Sequence, residues 1–301
     1  DKSMIRIGTR KSKLAIWQAN LIKKKFDHLN IKSDLVLIDS QGDKILDKPI
    51  KLIGGKGLFT KELDKALLKN EIDIAIHSYK DVPTEIDENI TVCSVMKRGN
   101  PYDAIVYKSK SNKVDFKEFK GVATGSSRRK AQWLYRFNNH KIFPLRGNVD
   151  TRVKKLNLNN WDGAIFAAAG IERLNFSNLN YKILNWMTPC PAQGSIAIMC
   201  NRNNSNIIST CQKFNDEETM ICNSIERDFL KNLNGGCSSP IGGLAKIKKN
   251  TIEFNGEVLD EFGQKRMSIN LKAKYDKYSS LGIDASKKLI NQGVMSLITK
   301  K

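Results

Sequence analysis

The residues best suited to chemistry are cationic, and they cluster. Six of the 12 arginines fall between positions 128 and 173: Arg128, Arg129, Arg136, Arg146, Arg152 and Arg173. Arginine is favoured over lysine where a carboxylate or phosphate is gripped through two parallel hydrogen bonds. Arg128 and Arg129 follow Thr124-Gly125-Ser126-Ser127 at a strand-to-helix turn. Free backbone N–H groups and the helix dipole also favour an anion there. Arg146 closes the next strand and Arg152 lies one turn into the following helix, so in a parallel α/β sheet these groups converge on one edge; unrelated surface positions are the alternative. Thr9-Arg10-Lys11-Ser12 repeats the strand-end, basic, helix-cap pattern nearer the N-terminus. Lys56, in Gly54-Gly55-Lys56-Gly57, has no Ser or Thr after it, so the loop is not a phosphate-cradling Walker motif. It reads as a closing group on a loop or as a solvated lysine.

Two further residues could act rather than bind. Asp81 follows Lys80 at a strand end. A carboxylate among cations stays ionised and can stabilise a cationic intermediate; a turn-capping aspartate before Val82-Pro83 is the plainer reading. Cys237 sits in Asn234-Gly235-Gly236-Cys237-Ser238-Ser239-Pro240, where two glycines leave a thiol accessible. Cys93, Cys190, Cys200, Cys211 and Cys222 lie mostly in apolar or helical stretches. No pair has metal-ligand spacing and His28, His77 and His140 are scattered, so no metal site and a reducing compartment are expected.

The elements that must hold these groups follow from hydrophobic patterning. Residues 4–8 read as a strand. Leu14, Trp17, Leu21, Ile22, Phe26 and Leu29 fall on one helical face. Residues 35–38 and 72–77 are strands around a loop at 42–57 and a helix at 58–69. After a crossover at Gly99-Asn100-Pro101, strands are expected at 104–107, 121–124, 141–144 and 163–167, with helices at 127–137 and 149–158 and a short one ending near 174. Pro189, Pro191 and Gly194 mark a return, with 195–199 rejoining the first sheet. A helix at 217–230, strands at 244–247, 252–259 and 265–271, and a helix at 280–291 close the chain. The fold class expected is therefore α/β, with parallel sheets. Domain 1 spans 1–99 and 195–215, domain 2 spans 100–194, and a smaller α+β domain 3 spans 216–301.

Together these stretches resemble the porphobilinogen deaminase (hydroxymethylbilane synthase) family. The matching runs are Arg6 to Ala15, Gly54 to Phe59, His77 to Pro83, Leu145 to Asn148, Asp162 to Ile165, Pro191 to Gly194 and Gly235 to Cys237, in family order over nearly the whole chain. The resemblance implies two hinged α/β domains like those of solute-binding proteins and a third domain carrying the cysteine. It implies that Cys237 holds a dipyrromethane cofactor through a thioether. Asp81 would be the acid/base that assists loss of ammonia from porphobilinogen and stabilises the resulting azafulvene cation. Four porphobilinogens would then join head to tail, and hydrolysis would release linear hydroxymethylbilane.

For the cofactor the resemblance implies contacts from Lys80, Ser78, Thr124, Ser126, Arg128, Arg129, Arg146, Gly147, Asp43 and Lys56. For substrate it implies Arg10, Ser12, Arg146, Arg152, Arg173 and Gln193. Two positions depart from the family pattern: Leu52 stands where some relatives have lysine, with Lys51 adjacent, and Ser127 replaces an apolar residue. The resemblance also implies a monomer that hands its product to uroporphyrinogen-III synthase, in cytosol or plastid. The chain opens on Asp1 without a signal-peptide pattern, which leaves room for trimming of a targeting segment.

Length and charge fit this reading. The 301 residues suffice for two or three domains, and 40% hydrophobic content excludes a disordered chain. No apolar run is long enough for a membrane helix. A net charge of +20 admits nucleic acid, an anionic membrane surface or an acidic small molecule as partner. With 39 Lys and 28 Asn, it also admits a compositional bias that leaves most lysines as solvated surface. The chain lacks a nucleic-acid motif or an aromatic stacking platform. A solute-binding protein without catalysis leaves Gly235-Gly236-Cys237 unexplained. Each porphobilinogen carries two carboxylates, so cofactor plus four units would bring roughly twelve negative charges, which calls for a broad cationic cleft.

Overall fold

The computed structural model describes residues 4–44, 57–108, 114–176, 178–236 and 239–298. Three sheets organise them. The first takes β1 (Ile5–Arg10), β2 (Ser33–Ile38), β3 (Ile74–Ser78) and β4 (Ile90–Val95) from the N-terminal third. Helices α1 (Lys13–His28), α2 (Gln41–Lys44) and α3 (Lys61–Leu68) lie between these strands. Ser12 caps α1 by accepting from the Ala15 N–H at 3.3 Å. The core of β3, Ile74-Ala75-Ile76-His77, is buried throughout, as befits a strand covered on both faces.

The second sheet comprises β5 (Asp103–Tyr107), β6 (Gly121–Ala123), β7 (Lys141–Phe143), β8 (Gly163–Ala167) and β9 (Asn180–Leu184). Its helices are α4 (Ser127–Arg136), α5 (Val149–Leu158) and α6 (Ala168–Leu174). Ser126 and Asn148 cap α4 and α5 by accepting from the third N–H along, so both helices begin at the strand-end turns that carry the arginines. The chain then returns to the first sheet through β10 (Ile196–Asn201) and α7 (Ser205–Gln212). Next come α8 (Glu217–Asn232), a three-stranded meander β11 (Ile241–Lys248), β12 (Thr251–Leu259) and β13 (Arg266–Lys274), and α9 (Leu281–Asn291) and α10 (Met295–Ile298).

The fold class is α/β as expected, but the sheets are mixed rather than parallel. In the order β2-β1-β3-β10-β4, the returning β10 runs antiparallel to both neighbours. In the order β7-β6-β8-β5-β9, β5 runs antiparallel to β8 and β9. Each crossover thus feeds its sheet from the opposite end. The two crossovers lie side by side, with the Gly99 N–H donating to the Gly194 carbonyl at 3.0 Å. Gly194 has φ +86°, and a Cβ there would sit 2.7 Å from the Asn100 carbonyl oxygen, so only glycine fits the crossing.

One carboxylate gathers several of the contacts between the α8–meander unit and this double crossover. Glu226 of α8 is fully buried and accepts from both terminal nitrogens of Arg98, at 2.6 and 2.9 Å. It also accepts from the backbone N–H of Ala192 at 2.7 Å and of Ala245 at 2.9 Å. Arg98 precedes the outward crossover, Ala192 lies on the return with φ +63°, and Ala245 is in β11. One side chain therefore ties all three sheets together. Replacing Glu226 by alanine strands a half-buried guanidinium and two buried N–H groups. The expected loss is about 3–5 kcal/mol in urea unfolding, and an unchanged midpoint would contradict the docking role.

Candidate functional site

The site lies where β1 and β3 of the first sheet end and where α4 and α5 of the second begin. β3 runs into a 3₁₀ turn, Tyr79–Asp81, closed by the Val82 N–H on the Tyr79 carbonyl at 3.1 Å. The Tyr79 N–H donates to the Ser195 carbonyl at 2.9 Å, which fixes the turn to the return crossover. Lys80 Nζ points to Gln193 Oε1 at 3.4 Å. Among the described residues, the Asp81 side chain makes no hydrogen bond or ion pair, although its charge acts on Lys80, Cys190 and Arg152. Ser78 is held by Gln18 Nε2 at 2.9 Å.

Opposite lies Asp103, the first residue of β5 and completely buried. It accepts from Arg128 at 2.7 and 3.1 Å, from Arg129 Nε at 2.7 Å and from Gln193 Nε2 at 3.2 Å. Burial would raise its pKa, but the charges of Arg128 and Arg129 hold it well below the usual carboxylate range. Arg128 also donates to the Thr188 carbonyl at 2.9 Å, and Arg129 to the Ile165 carbonyl at 3.2 Å and Gln193 Oε1 at 3.4 Å. These two arginines are thus chiefly engaged inside the protein. Gln193 links them to Lys80 and also donates to the Pro101 carbonyl at 2.9 Å.

Arg146 and Arg152 form a second, half-buried row. Arg152 Nε donates to the Gly147 carbonyl at 2.7 Å. Burial, reinforced by the charges of Arg129, Arg146 and Arg10 and partly offset by Asp81, pushes Arg152 down to about 10. Burial also lowers Arg146. Lys80 is lowered first by burial and then by Arg129. These are the signs of like charges gathered out of water, a setting that a polyanionic ligand relieves. Arg10 lies over the Phe59 ring, 4.4 Å from its centroid, and forms a two-point pair with Asp43 that includes Nε–Oδ2 at 2.9 Å. Burial would raise the Asp43 pKa, yet Arg10 and the Ser40 hydroxyl bring it below the ordinary value.

Some sequence-derived candidates are occupied elsewhere. Arg173 donates to the Gly194 carbonyl at 2.6 Å and lies over Trp17, 5.6 Å from its ring centroid, so it braces the crossover against α1. The Ser12, Thr124 and Ser126 oxygens each accept a local backbone N–H, from Ala15 at 3.3 Å, Ser126 at 3.2 Å and Arg129 at 3.3 Å respectively. Cys237 and Lys56, with Lys51 and Leu52, lie outside the described residues. The approach to Cys237 is informative. A Cβ at Gly235 would meet Leu230 and Ile241 at 2.6 Å, whereas one at Gly236 would meet nothing within 4 Å, so the segment turns from packed core into open space.

Sequence reasoning missed Asp103, Gln18 and Arg227, and it read Cys190 as packing. Cys190 is half-buried beside Arg128 and Lys80; burial raises its thiol pKa against the pull of those cations. His77 is buried, and desolvation with the Arg10 charge pushes it down to about 3, so at neutral pH it is the uncharged imidazole. Among the described residues no cluster of three metal-ligating side chains occurs.

Fold and site together define a class: a three-unit α/β protein whose inter-sheet cleft gathers cations around an acidic turn. The chain belongs to the porphobilinogen deaminase family. Residues 5–209 match the model described as porphobilinogen deaminase, dipyromethane cofactor binding domain, and residues 220–291 match the porphobilinogen deaminase C-terminal domain. It is 39% identical over 292 residues to the probable porphobilinogen deaminase of Methanocaldococcus jannaschii, covering 95% of this chain and 98% of that one. It is 38% identical to the porphobilinogen deaminase of Campylobacter concisus, covering 98% and 97%. Among solved structures, the probable amino-acid ABC transporter extracellular-binding protein ytmK from Bacillus subtilis aligns at TM-score 0.42 and 14% identity, covering 71% of this chain and 91% of that chain.

Asp103→Asn leaves two buried guanidiniums sharing no counter-charge. At pH 7 the expected loss is about 3–5 kcal/mol in denaturant unfolding. Because the folded carboxyl titrates below its unfolded value of about 3.9, its contribution is present above that pH and fades as pH falls through the folded value. Wild type and variant should therefore converge in strong acid. A gap that stays constant down to about pH 2 would contradict the assignment.

Proposed function

We propose that this chain deaminates porphobilinogen and joins four units into linear hydroxymethylbilane, with its cofactor attached at Cys237. The observation that carries the reading is the placement of Asp81, a carboxylate on a rigid turn facing Lys80 and Arg152 in a cleft rich in depressed-pKa cations. The donor set suits dipyrromethane: paired guanidiniums and a lysine match acetate and propionate carboxylates. When bound, the dipyrromethane supplies a nucleophilic pyrrole carbon to which the growing chain is joined.

The remaining roles fall to the protein's own groups. Arg10, Arg146 and Arg152 grip substrate carboxylates and orient the aminomethyl carbon toward Asp81. Lys80, Thr124, Ser126, Arg128 and Arg129 line the cofactor side, the two arginines acting mainly by fixing the cleft wall through Asp103. The Asp81 carboxylate pairs with the substrate's ammonium group, which leaves as ammonia with the C–N electron pair, and afterwards faces the cationic pyrrole that remains, where a carboxylate lowers the energy of positive charge most. Arg173 and Gln193 act at the crossover rather than on a carboxylate. The division into residues 1–99 with 195–215, 100–194 and 216–301 belongs to this reading. So do a monomeric state, hand-over of product to uroporphyrinogen-III synthase, and work in cytosol or plastid. No helix among the described residues is long and apolar enough to cross a membrane.

Asp81→Asn keeps the side chain's shape and removes its negative charge. The expected result is a fall in porphobilinogen turnover of about 100-fold or more with unchanged thermal unfolding. Turnover near wild type would remove Asp81 from its role.

A further inference from the structure

Arg227 sits one residue after Glu226 on α8, outside the cationic cleft, yet it reaches the same turn from behind. Its Nη1 donates to the Val82 carbonyl at 2.9 Å and the Tyr79 carbonyl at 3.3 Å, and its Nη2 donates to the Pro83 carbonyl at 2.7 Å. The guanidinium also stacks over the Tyr79 ring, 4.4 Å from its centroid. One planar group thus grips backbone on both sides of Asp81 and the aromatic side chain two residues before it. Only a forked donor can meet carbonyls on both flanks of a single turn.

Few other hydrogen bonds restrain the turn's backbone, while the Tyr79 and Val82 side chains are buried in the core. The turn's N-terminal side is held by the Tyr79 N–H on Ser195, and its interior by one hydrogen bond from the Val82 N–H to Tyr79. The Asp81 side chain adds no hydrogen bond of its own among the described residues, so the carboxylate's position is inherited from the backbone. A misplacement of about 1 Å at a reacting group can cost about 100-fold in rate.

We infer that Arg227 is a positioning residue for Asp81, through which the α8–meander unit sets the geometry of the acidic turn. This inference rests on the reading of Asp81 given above. Neighbouring residues then divide the labour of α8: Glu226 fixes the crossovers and Arg227 fixes the turn. Since α8 leads directly into Gly235-Gly236, the element that aims the carboxylate is also the one from which the Cys237 segment departs.

The test is a double-mutant cycle on the full chain, with cofactor loading checked by Ehrlich's reagent and folding by thermal unfolding. Arg227→Ala should lower kcat by about 10- to 100-fold, leave KM within about threefold, and displace the acidic limb of the kcat–pH profile. Arg227→Lys, which keeps the charge but not the fork, should fall between, and it carries the test if the alanine variant does not fold. In the Asp81→Asn background either Arg227 substitution should add little further loss, because its effect runs through that carboxylate. Wild-type kcat and an unmoved pH limb in the Arg227 variants, beside an inactive Asp81→Asn, would overturn the inference alone. So would a full additional loss in the Asp81→Asn background. Wild-type turnover in Asp81→Asn by itself would overturn the Asp81 reading and the role of Arg227 with it.

Discussion

One buried carboxylate sets the terms for the cleft. Asp103 has no access to water and is shared by two arginines that are themselves almost wholly enclosed. Such charges are tolerated only when each meets a partner in good geometry. Here the geometry requires β5, the start of α4 and the return crossover to meet at one point. Gln193 extends that meeting to Lys80 across the junction between the sheets. With the deepest positive charge held this way, Arg146 and Arg152 can stand half-buried in front of it as a second cationic layer. A cleft built so is electrostatically biased toward anions.

The third unit is often the easiest part of such a fold to treat as an appendage, but here α8 is the keystone between the sheets. Glu226 gathers donors from the outward crossover, the return crossover and β11. Arg227, on the next position of the same helix, gathers carbonyls from the acidic turn. Because both side chains come from one rigid helix, the crossovers and the turn cannot shift independently of it. These contacts locate rigidity at the turn.

Local features of this architecture were legible in the sequence, and long-range ones were not. The cap at Ser12, the strand-to-helix turn before Arg128 and the strand-end arginines are written in short runs, where residue type and backbone geometry are tightly linked. Asp103 was invisible because it opens a fully apolar strand 25 residues from Arg128, and nothing nearby hints at burial with cations. Glu226 and Arg227 read as ordinary charged positions on an amphipathic helix. The strand at Ile90–Val95 passes for a linker after a polar turn, and Asn180–Leu184 begins with two exposed residues at a sheet edge. Strand direction was misjudged because a βαβ rhythm implies parallel pairing, while β10 and β5 enter their sheets from crossovers. Trp17 fits the apolar stripe of α1 by spacing, yet it faces outward to meet Arg173, and Gln18 and Ala19 take the buried positions.

On the reading proposed for this chain, the cationic cleft holds a covalently growing chain of carboxylated pyrroles. The most direct measurement is the intact mass of the denatured protein before and after limited amounts of porphobilinogen. The expected starting mass exceeds that of the polypeptide by one dipyrromethane, localised to Cys237 by peptide mapping. On addition of substrate discrete steps are expected, each equal to one porphobilinogen less ammonia, ending at four. A turning-over protein whose denatured mass equals the bare polypeptide, or that shows no ladder of steps, would contradict that reading.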